Sequence, residues 1–145
     1  AGLVVVVAAG NNGPRTMSIT TPGISRKVIT VGCSDDDREV LVGGNRMVDY
    51  SGRGPTAACI CKPDLVAPGC SVVSCSSRAD KYTIKSGTSM STPIVSGAVA
   101  LLLERFPDMS NKDVKLRLRE SSVDIGLPRN QQGWGLLDVG KMIGK

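Results

Sequence analysis

Several distinct hydrophobic patterns follow one another along the chain. Leu3–Ala8 is a continuous apolar, β-branched run without alternation, the pattern of a parallel strand covered on both faces. Lys27–Gly32 reads as the next strand, Leu65–Pro68 as a short buried one, and Ser71–Ser74 with Lys81–Lys85 as a pair of short strands. No charged residue then occurs between Lys85 and Glu104. From Ile94 to Leu103 the apolar or small residues point in every direction at helical spacing, which predicts a helix buried all round. Ser91, Ser96, Gly97, Ala98 and Ala100 keep that helix thin, and Pro93 is expected about one turn in, where a missing N–H costs least. Phe106-Pro107 ends it. A second helix is signalled by Ser110 as cap, Asp113 at the third position and Met109 stapled to Val114, with Val114 and Leu118 facing inward.

Composition narrows the reading. With 145 residues, 41% of them hydrophobic and only 3% aromatic, the core must be built from Val, Leu, Ile and Ala. The net charge is +5, yet the positive residues are scattered except for Lys112, Lys115, Arg117 and Arg119, which read as a solvated helix face. A nucleic-acid surface calls for interleaved aromatics or a binding module, so no nucleic-acid partner is expected. The apolar part of the central helix is about half the ~20 residues of a membrane span, so no membrane partner is expected either. Asp35–Asp37 is most simply a solvated turn. The five cysteines (Cys33, Cys59, Cys61, Cys70, Cys75) lack the usual paired zinc spacing, and the chain has no histidine to help. Free thiols in a reducing setting are expected; a disulfide ranks second and a metal site on them is not expected, while secreted and cytoplasmic locations in a bacterium both stay open.

The candidate chemistry sits at the start of the central helix, at Gly87-Thr88-Ser89. A helix N-terminus carries unpaired N–H groups and a partial positive charge, both suited to a developing anion. Ser89 there is either a nucleophile whose own N–H helps hold an oxyanion, or Thr88 or Ser89 is simply a helix cap. Asn11, in the turn after the first strand, is on its own no more than a turn residue. Neither the G-x-G-x-x-G of dinucleotide folds nor the G-x-S-x-G of another hydrolase fold occurs.

Gly87-Thr88-Ser89-Met90-Ser91-Thr92-Pro93 closely resembles the nucleophile segment of the subtilisin-like serine proteases, the subtilases, with Ser91 where that family has alanine. Ala8-Ala9-Gly10-Asn11, Ile29–Gly32, Tyr50–Pro55, Lys62–Gly69 and Gly133–Val139 resemble further segments of that family, in family order, so the resemblance covers essentially the whole chain. It implies an α/β fold: the subtilisin-like three-layer arrangement with a mostly parallel sheet and helices on both faces. It implies peptide-bond hydrolysis through an acyl-enzyme on Ser89, an oxyanion hole from Asn11 and the Ser89 N–H, and Ala8, Ala9, Gly10 and Thr20 around the substrate pocket. The family triad runs Asp, His, Ser along the chain. Residues 1–145 therefore correspond to the C-terminal portion of a catalytic domain, inactive alone. Its expected partners are a peptide or protein substrate and either the N-terminal half of the same domain or a second copy of this chain. The rival expectation is a non-catalytic subtilase-like subunit serving as an interaction module. No cofactor is expected; the residues matching a weak family cation site are Gly23, Ser25, Val28 and Asp64, with Lys62 in place of an acid.

Overall fold

The structure is a computed structural model and describes residues 2–78 and 81–144. In chain order it contains β1 (Val6–Ala8), β2 (Ile29–Cys33), β3 (Val40–Val42), β4 (Asn45–Met47), β5 (Leu65–Ala67), β6 (Val72–Cys75), β7 (Tyr82–Lys85), α1 (Thr88–Arg105), α2 (Asn111–Ser121), α3 (Arg129–Gln132) and α4 (Val139–Ile143). β1, β2 and β5 form a parallel sheet in that order, with Val6 opposite Ile29 and Val31 opposite Leu65. Leu136 adds a parallel bridge to Val66 on the far side of β5. β3–β4 and β6–β7 are antiparallel hairpins.

All five residues of β2 and all three of β5 are buried, and the one hydroxyl among them, on Thr30, donates to the Gly23 carbonyl. α1 lies across the sheet, and Val95, Ala98, Val99 and Leu102 pack with Ile29, Val31 and Leu65. Val114, Leu118 and Met142 close the same core from α2 and α4. Each fully buried Val or Leu here contributes about 1.5–3 kcal/mol. α2 carries the full capping box: Ser110 Oγ accepts from Asp113 N–H while the Asp113 carboxylate accepts from Ser110 N–H.

Four expectations are corrected. α1 is not buried all round: Ile94 is 36% and Leu101 50% exposed, because the sheet and α4 cover only one side of the helix among the described residues. The first strand is shorter than its apolar run, and Leu3 is 73% exposed, since β2 pairs with it only over Val6–Ala8. Pro93 is the sixth residue of α1, so its missing N–H leaves the Ser89 carbonyl without a helical donor. Asp35–Asp37 is not simply a solvated turn. Asp36 is buried and accepts from Ser51 N–H, and Asp35 Oδ1 accepts from the N–H groups of Gly69 and Cys70.

The late basic helix is also more than a wet face. Lys115 reaches the carbonyls of Arg26 and Val28, and Arg117 donates to the carbonyls of Lys141 and Met142 at the end of α4. No helix among the described residues is long and apolar enough to cross a membrane.

Candidate active site

The first turn of α1 is assembled from two distant parts of the sequence. Gly87 is the N-cap and supplies no side chain, so neither Thr88 nor Ser89 caps the helix. The cap comes instead from Asn11, 77 residues away, whose Oδ1 accepts from Thr88 N–H and from the Thr88 hydroxyl, both at 3.0 Å. Thr88 Oγ1 in turn accepts from Gly10 N–H at 3.2 Å. Thr88 is wholly buried. The two bonds from Thr88 orient the Asn11 carboxamide: its oxygen is committed to the helix, so its NH₂ must point the other way. That NH₂ lies beside Gly87, where a Cβ would be 3.2 Å from Nδ2.

Ser89 stands next to this clamp, on the second residue of α1, and is exposed. No hydrogen-bond partner takes its Oγ or its N–H among the described residues. A cleft of about 420 Å³ opens beside it, lined by Val6, Val7, Ala8, Thr92, Pro93 and Ser96. A helix-terminal N–H and a free hydroxyl on Ser89, with the Asn11 carboxamide bonded to the neighbouring Thr88, make an arrangement suited to an electrophile that becomes an anion.

The structure also gathers the other residues singled out in the sequence. Thr20 N–H and Oγ1 both donate to the Ala9 carbonyl, at 3.0 and 3.4 Å. Gly10 has φ +94°, and a Cβ there would lie 2.5 Å from Thr20 Oγ1, so Thr20 closes directly over the glycine. Ala9 is itself wholly buried, leaving Ala8, Gly10 and Thr20 as the partly open surface.

The matched cation residues also meet, but not as an open cage. The Val28 carbonyl accepts from Lys62 Nζ at 3.1 Å and from Lys115 Nζ at 2.9 Å. Asp64 pairs with the same two ammonium groups, at 2.5 and 3.2 Å, and the Gly23 carbonyl is taken by the Thr30 hydroxyl. Two fixed positive charges already sit on the oxygens that would bind a cation, so this set does not fit a metal ion. Burial pushes the Lys62 ammonium below the ordinary lysine range, against the pull of the Asp64 carboxylate beside it.

Thr88 was singled out in the sequence only as an alternative helix cap, not as a link to Asn11. Its hydroxyl is both acceptor and donor in the clamp, and only the fold brings Gly10 and Asn11 to it.

Comparison with known proteins identifies the family. The model of the subtilase family (Peptidase_S8) matches residues 1–135. The chain is 42% identical over 135 residues to serine protease AprX of Bacillus subtilis (strain 168), covering 84% of this chain and 30% of that protein. It is 35% identical over 140 residues to subtilisin DY of Bacillus licheniformis, covering 95% of this chain and 46% of that one. The chain thus spans less than half the length of these two relatives. Among solved structures, the self-cleaved protease domain of PatA superposes with a TM-score of 0.74 at 27% identity, over 98% of this chain and 49% of that one. The prenylagaramide maturation protease PagA gives 0.73 at 26% identity, over 97% and 50%. An exposed serine at a capped helix start, an asparagine locked against it and a match along nearly all its length lead to one statement: the chain belongs to the subtilase family.

Proposed function

We propose that this chain is the nucleophile-bearing, C-terminal part of a serine endopeptidase catalytic domain. Ser89 Oγ attacks the peptide carbonyl to form an acyl-enzyme, and the Asn11 NH₂ with the Ser89 N–H holds the oxyanion. The observation that supports the reading is the clamp through Thr88, which ties the Asn11 carboxamide to the residue next to an unpartnered Ser89.

The chain has no histidine, so the general base and its orienting acid come from polypeptide outside these residues. Without a base Ser89 is an ordinary alcohol and a poor nucleophile. Ala8, Gly10 and Thr20 contribute to the pocket for the residue before the cut. The open side of α1 and the outer edge of β1 are the surfaces such outside polypeptide would cover, either the N-terminal half of the domain or a second copy of this chain.

The test is peptide hydrolysis by the complete protein and its Ser89→Ala variant. Loss of all but background turnover, with the variant still folded, is the expected result. Retained turnover would remove Ser89 from the chemistry.

A further inference from the structure

Behind the nucleophile turn, four side chains from three separate stretches converge on one small volume. Cys33 ends β2 and is 1% exposed, Cys70 follows β5, Asp35 follows β2, and Tyr50 is wholly buried. The two sulfurs are 3.9 Å apart. Tyr50 Oη is 3.1 Å from Cys33 Sγ and 3.0 Å from Cys70 Sγ. Cys33 Sγ donates to Asp35 Oδ1 at 3.0 Å, and Cys70 Sγ donates to the Asp35 carbonyl. The two sulfurs and the Asp35 carboxylate oxygen all lie within 4.8 Å of one another.

We propose that Cys33, Cys70 and Asp35, with Tyr50 behind them, form a binding site for one thiophilic divalent cation of the zinc class. Bond lengths of about 2.3 Å to sulfur and 2.0–2.2 Å to oxygen, at tetrahedral angles, put donor atoms roughly 3.3–3.8 Å apart. The sulfurs, 3.9 Å apart, lie close to that range, and the Cys33 Sγ–Asp35 Oδ1 separation of 3.0 Å opens slightly on binding. A disulfide would instead need the sulfurs to close to about 2.05 Å.

The carboxylate is already oriented by its bonds from Gly69 and Cys70 N–H, which act as the supporting shell of a ligand. Burial is the main force holding both thiols protonated in the metal-free protein. On binding, each thiol gives its proton to solvent and its sulfur lone pair to the metal, and the cation offsets the two new thiolate charges. Cys70, only partly buried, is the side of entry.

The site is joined to the candidate nucleophile. Gly69, next to Cys70, accepts from Gly87 N–H at 2.9 Å, and Ser71 N–H donates to Ser86 Oγ at 2.8 Å. A Cβ at Gly69 would lie 2.8 Å from Cys33 Sγ and 2.9 Å from the Gly87 carbonyl, so thiols and helix entry are in direct packing. A metal here would brace the loop that holds the start of α1.

The experiment uses the complete protein with the exposed Cys59, Cys61 and Cys75 changed to serine, and cadmium as the probe. One equivalent should produce a thiolate charge-transfer absorption band and raise Tm. Cys33→Ala and Cys70→Ala, each checked by circular dichroism for a native fold, should weaken binding at least tenfold and abolish the Tm shift. No band at stoichiometric cadmium, or a band unchanged in both variants, would overturn the proposal. So would a Cys33–Cys70 disulfide formed by a small-molecule disulfide in a protein that takes up no cadmium. The absorption readout does not depend on Ser89 being the nucleophile.

Discussion

Asn11 accepts two hydrogen bonds from Thr88, and both predictions at the residue scale come from that arrangement. Asn11→Leu in the complete enzyme should lower kcat far more than it alters KM, because the oxyanion exists only beyond the ground state. A loss of about 10²–10³ is the range known for subtilisin's own oxyanion asparagine. Steady-state kinetics checks it, and equal kcat would take Asn11 out of the oxyanion hole. Thr88→Val removes the hydroxyl that binds Gly10 N–H and Asn11 Oδ1, so Thr88 acts as a positioning residue. Leaving a buried donor unmet costs about 1–3 kcal/mol of stability. A positioning role also predicts a fall in kcat at nearly constant KM, which a purely structural residue would not give. Ser89 and Asn11 entered the reading through short segments that resemble the subtilase family, since on local pattern alone the one is equally a helix cap and the other a turn residue. The role of Thr88 was not legible in the sequence, since its partners lie 77 and 78 residues away. The Cys33–Cys70 pair was hidden for the same reason, the two being 37 residues apart in sequence.

At the scale of elements, α2 shows what local sequence can determine. Its capping box, inward Val114 and Leu118 and packed Met109 all stand where the pattern put them. Ser110→Ala should cost about 1 kcal/mol in chemical denaturation. The Asp113 carboxyl is held below its ordinary 3.8 by the Ser110 hydroxyl and N–H. A depressed carboxyl contributes stability above its unfolded pKa and loses it as pH falls through the folded one. The stability gap between wild type and Asp113→Ala should therefore be present at pH 7 and narrow below the ordinary 3.8; a gap constant into acid would contradict the cap. β3 and β4 were not foreseen, because Gly43 and Gly44, both at positive φ, make their turn between strands of only three residues. The full burial of α1 was misjudged because periodicity reports which faces are apolar, not which are covered.

For the whole molecule, charge and coverage decide the outcome. Lys62 is almost wholly buried on Asp64 and Val28, so Lys62→Met leaves the carboxylate with the Thr30 N–H and Lys115 as its one cationic partner among the described residues. Breaking a buried pair typically costs about 3–5 kcal/mol; the lower end is expected here, read by urea denaturation of the complete protein. Ala9 N–H bonds to Val31 and the Val5 carbonyl accepts from Ile29, so by alternation the Val6 and Ala8 amides face the open edge. An unpaired edge beside the exposed side of α1 is an invitation to another strand. In the complete protein these two amides should exchange slowly with deuterium, and fast exchange would show that nothing pairs there. The parallel sheet and the helix on it were readable from composition and order. The openness of one side follows only from the resemblance, by which the neighbour of the first strand and part of the cover of the central helix lie outside these residues.

The proposed function requires Ser89 to be a nucleophile activated from outside these 145 residues. Fluorophosphonate labelling of the complete protein, followed by peptide mapping, asks that directly. The prediction is a single adduct on the peptide containing Ser89, absent from Ser89→Ala and absent when residues 1–145 are labelled alone. An adduct on another serine, or equally efficient labelling of the isolated 145 residues, would contradict it.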